Sequence, residues 1–512
     1  MIRRSQRERK IQIILSKEIQ VLRLNCSALN YPVVEMTLNW SFAEPNRVLK
    51  RYHPDMLLSV CFQNLHFKPA ERTENEPTVN RNNEVCKYIK AVLENGIRVN
   101  GREFNFFVYS ESQLKKRTCL MFAASNEECW AEWNRLGDFS KLTSAAKVAK
   151  RLGQLLSSAQ PVFRLPWKGK GHEDGYPVED DIVENGQNFT DGCGWISPRL
   201  MQKVAHASNL RFDERLLVPS VIQIRYRGFK GVLAVNPSIT SDVVFRKSQE
   251  KFPCEDDSFC VVQPSGTSRP YIYGKLNQQI VALLSALGIP DEALLEVQEE
   301  HYQRLENMYK DPVVAFKVLS GEGKQREVSE LAEKGFQSKK VTDALNAVRS
   351  HIMHKSVKEK NNGDKTKLSV VVEESRFVFA VNDPNETEDG QLREGDVYFA
   401  PTIDGVATPL VGNLVLVRNP CLFPGDILLR QAVENPGCRH LVDCVVFPVQ
   451  GRRSTASCSG GGDLDGDKFT VIWDKRLIPQ KMQEPYGYPP AQQKQAKKID
   501  RDAMIKCRRS VV

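Results

Sequence analysis

The sequence predicts an α+β protein in which two β-rich regions flank a block of helices, and three observations carry that expectation. Apolar residues recur at helical spacing from Leu276 to about His354. On both sides the chain instead carries short β-rich runs, closely spaced and separated by glycine, proline and other turn residues. Such punctuation favours small barrels over a doubly wound sheet, whose strands would alternate with long helices. At 512 residues the chain is long enough for several cores of about 150 residues each.

Each region follows in turn. Residues 1–144 read as a mixed region in which strand-like runs such as FNFFVYSESQL (104–114) alternate with polar stretches such as KPAERTENEPTVNRNNE (68–84), predicted to be loop. Residues 145–275 form the first barrel region. It opens on a helix with Val148, Leu152, Leu155 and Leu156 on one face and contains VIQIRYRGFKGVLAVNP (221–237), two β-rich runs joined by a turn at Arg227-Gly228-Phe229. Residues 276–367 are the helical connector, led by Ile280, Leu283, Leu284 and Leu287, and end in a polar linker, HKSVKEKNNGDKTK (354–367). Residues 368–480 hold the second barrel, with strands predicted at SVVVEE, RFVFAV, DVYFAP, GNLVLV, DCVVFPV and KFTVIWD. The basic stretch KQAKKIDRDAMIKCRRS, within 481–512, reads as a tail or a helix with a solvated face.

Composition narrows the class. Lys plus Arg exceeds Asp plus Glu by 72 to 63, a net charge of +9, the sign that favours a polyanionic partner. No apolar run reaches the roughly 18 residues of a membrane span, and the basic start MIRRSQRERK leads only into IQIIL, too short for a secretion signal. No membrane partner and a cytoplasmic or nuclear location are expected. The 13 cysteines contain no C-x-x-C and no paired zinc spacing, so they read as reduced packing residues.

The segment SGGGDLDGDKF (459–469) places Asp463, Asp465 and Asp467 within five positions. Two unit charges about 4 Å apart repel by about 4 kcal/mol near a protein surface, so either a cation sits among them or they diverge into solvent. A solvated acidic turn is the first reading. A calcium loop is the second, since Asp474 falls twelfth from Asp463, but the sixth position, which needs glycine, is Lys468, and FTVIW alternates like a strand. A magnesium site is the third. Carboxylates at i and i+2 of a strand lie about 6.6 Å apart, too far to share an ion, but Gly466 and Gly460 to Gly462 permit the backbone to curl. Hard oxygen ligands too few to enclose an ion suit Mg²⁺ with open positions for phosphate and water.

The stretch GNLVLVRNPCLFPGDILLRQAV…HLVDCVVFPVQGRRSTASCSGGGDLDGDKFTVIWD (412–474) resembles the catalytic region of the cellular RNA-dependent RNA polymerases of RNA silencing, whose hallmark is DLDGD. The resemblance runs upstream through FFVYSESQLKKRTCLMF, KVAKRLGQLLSS, FTDGCGWISPRLMQKVA, QIRYRGFKGVLAVNP, FRKSQEKF and KLNQQIVALLSALGI, so it covers residues 100 to 475 or so. It implies two double-psi β-barrels facing each other across a catalytic cleft. It implies that Asp463, Asp465 and Asp467 bind Mg²⁺, and that Lys230 and Lys251, helped by Arg225, neutralise triphosphate charge from the opposite wall. Arg418 matches a residue that reads the nucleotide sugar.

The implied partners are a single-stranded RNA template, ribonucleoside triphosphates, a double-stranded RNA product and small-RNA silencing factors. Two alternatives stand beside this reading: an inactive RNA-binding scaffold that retains the barrels, and a DNA-templated polymerase, to which the acids would be indifferent. Three details depart from the family pattern. The glycine run is one residue longer, RRST (452–455) replaces an Arg-Pro-His-like element, and the chain ends about 45 residues after the acids, where relatives continue into a helical region, so either that region is divergent and short or the chain is a fragment.

Overall fold

The computed structural model describes residues 19–30, 33–43, 45–65, 81–157, 163–165, 176–212, 215–254, 261–357, 368–385, 390–489 and 499–508. Three large sheets organise these residues. The N-terminal one has six strands, in which Ile19–Asn30 pairs antiparallel with Val33–Ala43 and parallel with Leu57–Leu65. Helix Ala145–Leu156 lays Val148, Leu152 and Leu155, all fully buried, into the core of this N-terminal sheet. The sequence periodicity therefore marks the correct apolar face, and that face packs against the N-terminal sheet.

The second sheet is open and seven-stranded, with Val221–Tyr226 and Phe229–Val235 as its central antiparallel hairpin. Arg227 takes the left-handed conformation at φ 46°, which closes the two-residue turn. Gly228 is needed for a different reason: a Cβ there would lie 1.7 Å from the carbonyl oxygen of Phe252. The amide of Lys251 donates to the Gly228 carbonyl at 3.0 Å, so the absence of a side chain lets the 251–252 segment lie on the hairpin.

The Asn277-capped helix Gln278–Ala286 is followed by four more, Asp291–Asn307, Pro312–Gly321, Gln325–Lys334 and Lys339–Val357. The Asn277 Oδ1 accepts from Ile280 N at 2.9 Å, which satisfies one of the orphan amides of the helix start. The third sheet is a closed six-stranded barrel formed by Ser375–Asn382, Cys444–Phe447, Asp396–Phe399, Leu428–Ala432, Gly412–Arg418 and Lys468–Ile472 in spatial order. Cys193, Trp195, Val221 and Val232 of the open sheet share one buried core with Phe379, Val445 and Phe469 of the closed barrel, so the two face each other at close range.

Several expectations change. The loop predicted over 68–84 gives way to helix Arg81–Asn95 at its end, because the RNNE start is polar yet followed by the apolar Ile89, Val92 and Leu93 that bury against the N-terminal sheet; residues 68–80 lie outside the described residues. The run SVVVEE contributes Val370–Val371, which pairs with Lys275–Leu276 outside the barrel. The barrel instead takes Leu428–Ala432, whose single buried ends hide its strand signal. Helix Arg501–Arg508 buries Met504 and Ile505 in the N-terminal core, so its surface is not simply solvated; the basic residues 490–498 lie outside the described residues. Of the polar linker, 354–357 continue a helix and 358–367 are likewise outside. No disulfide forms among the described residues, and all of their described cysteine side chains but Cys86 are buried, as packing residues should be.

Candidate active site

The acids sit on the loop that enters the barrel strand Lys468–Ile472. Gly466 adopts φ +124°, a conformation that strains residues with a side chain, and the backbone curls there. One carboxylate oxygen from each of Asp463, Asp465 and Asp467 consequently lies within 4.8 Å of the others, close enough for a common cation. Two backbone bonds lock the curl: Asp463 N donates to Asp467 Oδ2 and Asp465 N donates to Asp463 Oδ1, both at 3.1 Å.

The loop is built from the open sheet as much as from its own barrel. Leu464 N donates to the Asp191 carbonyl at 2.9 Å, and Gln223 Nε2 donates to the Asp465 carbonyl at 3.4 Å. Lys230 and Arg225 face each other in register across the 221–235 hairpin. Lys230 Nζ bonds Asp465 Oδ1 at 2.6 Å, and Lys251 Nζ lies 3.7 Å from Asp465 Oδ2 and 3.9 Å from Asp191 Oδ1. Arg225 is buried, spends one bond on the Ile224 carbonyl and acts on Asp465 through its field. On the barrel side Arg418 Nε bonds Asp467 Oδ2 at 2.6 Å and its Nη1 donates to the Gly460 carbonyl at 3.1 Å. All seven residues singled out from the sequence thus meet at one place.

Electrostatics divide the acids. Burial, with Asp465 and Asp467 alongside, pushes the Asp463 carboxyl up to about 7. Burial would also raise Asp465, but Lys230, then Lys251 and Arg225, outweigh it and hold that carboxyl below its ordinary value. Neighbouring Asp191 is raised by burial, against the pull of Lys251. Three carboxylates stay charged together only where cations offset them, and a cation held by their three oxygens would do so most directly.

The sequence reading missed a supporting layer. Asp426 is fully buried and accepts from the amides of Leu422 at 2.8 Å, Phe423 at 3.0 Å and Gly460 at 3.2 Å, and from the Tyr488 hydroxyl. It ties the turn after Arg418 to the glycine run. Arg151, on helix Ala145–Leu156, extends its charge to Asp465, Asp191 and Asp463. Arg453 of RRST donates to the carbonyls of Ser457 at 2.6 Å and Tyr486 at 3.2 Å. These partners are distant in sequence and carry no spacing signal.

Acids converging on one loop, opposed by lysines from a second sheet across a shared core, set a carboxylate cluster that could hold a metal ion opposite a wall of positive charge. The RNA dependent RNA polymerase family model matches residues 33–511, and the chain belongs to that family. It is 32% identical over 469 residues to "Probable RNA-dependent RNA polymerase 1" of Oryza sativa subsp. japonica, covering 87% of this chain and 59% of the relative. It is 30% identical to "RNA-dependent RNA polymerase 1" of Arabidopsis thaliana, covering 87% of this chain and 40% of that one. The chain therefore spans between about two fifths and three fifths of these relatives. Its fold matches that of the RNA dependent RNA polymerase QDE-1 from Thielavia terrestris with a TM-score of 0.69 at 18% identity, over 97% of this chain and 59% of that one. No described helix is long and apolar enough to cross a membrane.

Proposed function

We propose that this chain carries the catalytic centre of an RNA-dependent RNA polymerase, which joins ribonucleoside triphosphates on a single-stranded RNA template and leaves double-stranded RNA. The observation that carries the reading is the meeting of three acids within 4.8 Å with Lys230, from the opposite sheet, 2.6 Å from Asp465.

The donor set is all oxygen and incomplete, which fits Mg²⁺ held by Asp463, Asp465 and Asp467. When bound, the ion supplies a lowered pKa for the RNA 3′-hydroxyl and charge neutralisation at the α-phosphate. Lys230 and Lys251 stand where the charge of the triphosphate and the departing pyrophosphate would fall, and Arg225 adds its field from behind. Arg418 keeps Nη2 without a hydrogen bond among the described residues while Nε and Nη1 are held, a geometry suited to a ribose hydroxyl and to preference for ribonucleotides. We assign the product to a small-RNA silencing pathway, in the cytoplasm or the nucleus, on the family resemblance.

The test is labelled ribonucleotide incorporation on a single-stranded RNA template, with Mg²⁺ and with a chelator. The expected product appears only with template and metal and is destroyed by a nuclease specific for double-stranded RNA. Incorporation that persists in chelator, or that needs no RNA, contradicts the reading.

A further inference from the structure

Phe423 and Tyr486 stack almost in parallel, 17° apart with ring centroids at 4.5 Å, and the Tyr488 ring stands nearly perpendicular to that of Tyr486 at 5.2 Å. Yet Phe423 and Tyr486 keep 42% and 46% of their surface exposed, and Leu422 beside them is exposed as well. A stacked aromatic pair left this open marks a contact surface rather than a core. The surface is tied to the acids in short steps. The Phe423 amide and the Tyr488 hydroxyl both donate to Asp426, which also accepts from the Gly460 amide at 3.2 Å, three residues before Asp463. A Cβ on Gly461 would lie 3.6 Å from the Tyr488 side chain, so the glycine run that leads to the acids lies against these rings.

Positive charge accompanies the rings. Arg453 holds the 485–486 segment by donating to the carbonyls of Pro485 at 3.4 Å and Tyr486 at 3.2 Å, and it donates to the hydroxyl and carbonyl of Ser457 at 3.0 and 2.6 Å. All of these acceptors are neutral, and Arg453 pairs with no carboxylate among the described residues, so its charge is not cancelled by a partner. With Arg430 and Arg452 it lines a groove of about 580 Å³ that reaches Pro485, where Glu394 and Glu484 set two negative charges against three positive ones.

Open aromatic faces beside uncancelled positive charge suit a single strand of nucleic acid, whose bases each offer a π-face and whose backbone is anionic. We propose that Phe423 and Tyr486 form a platform on which an unpaired base of the RNA strand stacks, with the phosphate beside that base drawn to Arg453. Asp426 and the Gly460–Gly461 contacts fix the platform relative to the acids, so a base stacked there sets the position of the strand at the place of nucleotide addition. The contact reads no sequence, since every base has a face to stack.

This inference rests on the polymerase reading but fails separately from it. The experiment measures binding of a labelled single-stranded RNA oligonucleotide, and of an abasic strand of the same length and charge, across a salt series. The proteins compared are wild type, Phe423→Leu, Tyr486→Ala, Tyr486→Phe and the double variant of Phe423→Leu with Tyr486→Ala. Each loss of a ring is expected to lower RNA affinity about tenfold and to leave the slope of log affinity against log salt unchanged, because stacking releases no counterions. Tyr486→Phe should bind as wild type does, since the ring and not the hydroxyl makes the contact. The abasic strand should bind wild type more weakly than RNA does and lose nothing further in the variants. A loss that the abasic strand shares in full, in Phe423→Leu as in Tyr486→Ala, overturns the platform. Unchanged RNA affinity in the double variant overturns it too, while leaving the polymerase reading intact, and a wild-type dimer that this variant dissolves would then give the surface to a second copy. Wild type that neither binds RNA nor incorporates ribonucleotide overturns both.

Discussion

Lys230 of the open sheet and Asp465 of the closed barrel, 235 positions apart in sequence, are joined by a 2.6 Å charge-assisted hydrogen bond. Both side chains are largely buried, with 19% and 12% of their surface exposed, so the pair is poorly screened. Lys230→Met removes a cation from the place where transferred phosphate charge would develop. The expected result is a loss of roughly a hundredfold or more in the rate of incorporation, with RNA affinity nearly unchanged. Single-turnover kinetics beside a binding isotherm separate the two.

Gly466 carries the curl that converges the acids. A Cβ at this position would fall 1.7 Å from Gln223 Nε2, and the φ of +124° is itself strained for any other residue, at about 1 to 3 kcal/mol. Gly466→Ala should therefore abolish divalent-ion binding while the protein remains folded. Manganese titration followed by electron paramagnetic resonance, with circular dichroism as the control, checks both halves.

Asp426 works one layer back. Asp426→Ala leaves the part-buried amides of Leu422, Phe423 and Gly460 without their acceptor, a cost of about 1 to 3 kcal/mol. Tyr488→Phe removes a single bond to the same carboxylate and should cost about 1 kcal/mol. Urea unfolding should rank the two in that order, and incorporation should fall in the first far more than in the second.

These predictions follow the line between what was legible in the sequence and what was not. The triad, its glycine and the 221–235 hairpin are local patterns, and local spacing suffices to see them. Lys230, Lys251, Arg225 and Arg418 were visible only through family resemblance, since a lysine in a strand is ordinarily a solvated charge. Asp191, Gln223, Arg151 and Asp426 were not visible, because their roles arise from the docking of two sheets that no spacing records. The helix at Arg81–Asn95 was hidden for the opposite reason: its polar first turn reads as loop until burial of its later face is known.

His301 supplies a pH signature in the connector. Burial, with Arg304 and Lys275 nearby, lowers its pKa from 6.5 to about 4, and neither ring nitrogen has a hydrogen-bond partner among the described residues. The folded state therefore resists protonation that the unfolded chain accepts. Its contribution is intact above pH 6.5, declines as pH falls and is exhausted by about pH 4, a loss of up to about 3 kcal/mol. Denaturant unfolding of wild type and His301→Leu at pH 7.5 and pH 5 should show the stability difference shifting toward the variant at the lower pH.

The most direct measurement is paired incorporation and RNA binding by Asp465→Ala beside wild type, in Mg²⁺ on a single-stranded RNA template. The account predicts that the variant binds RNA as wild type does and incorporates no ribonucleotide. Incorporation by the variant at the wild-type rate would contradict it.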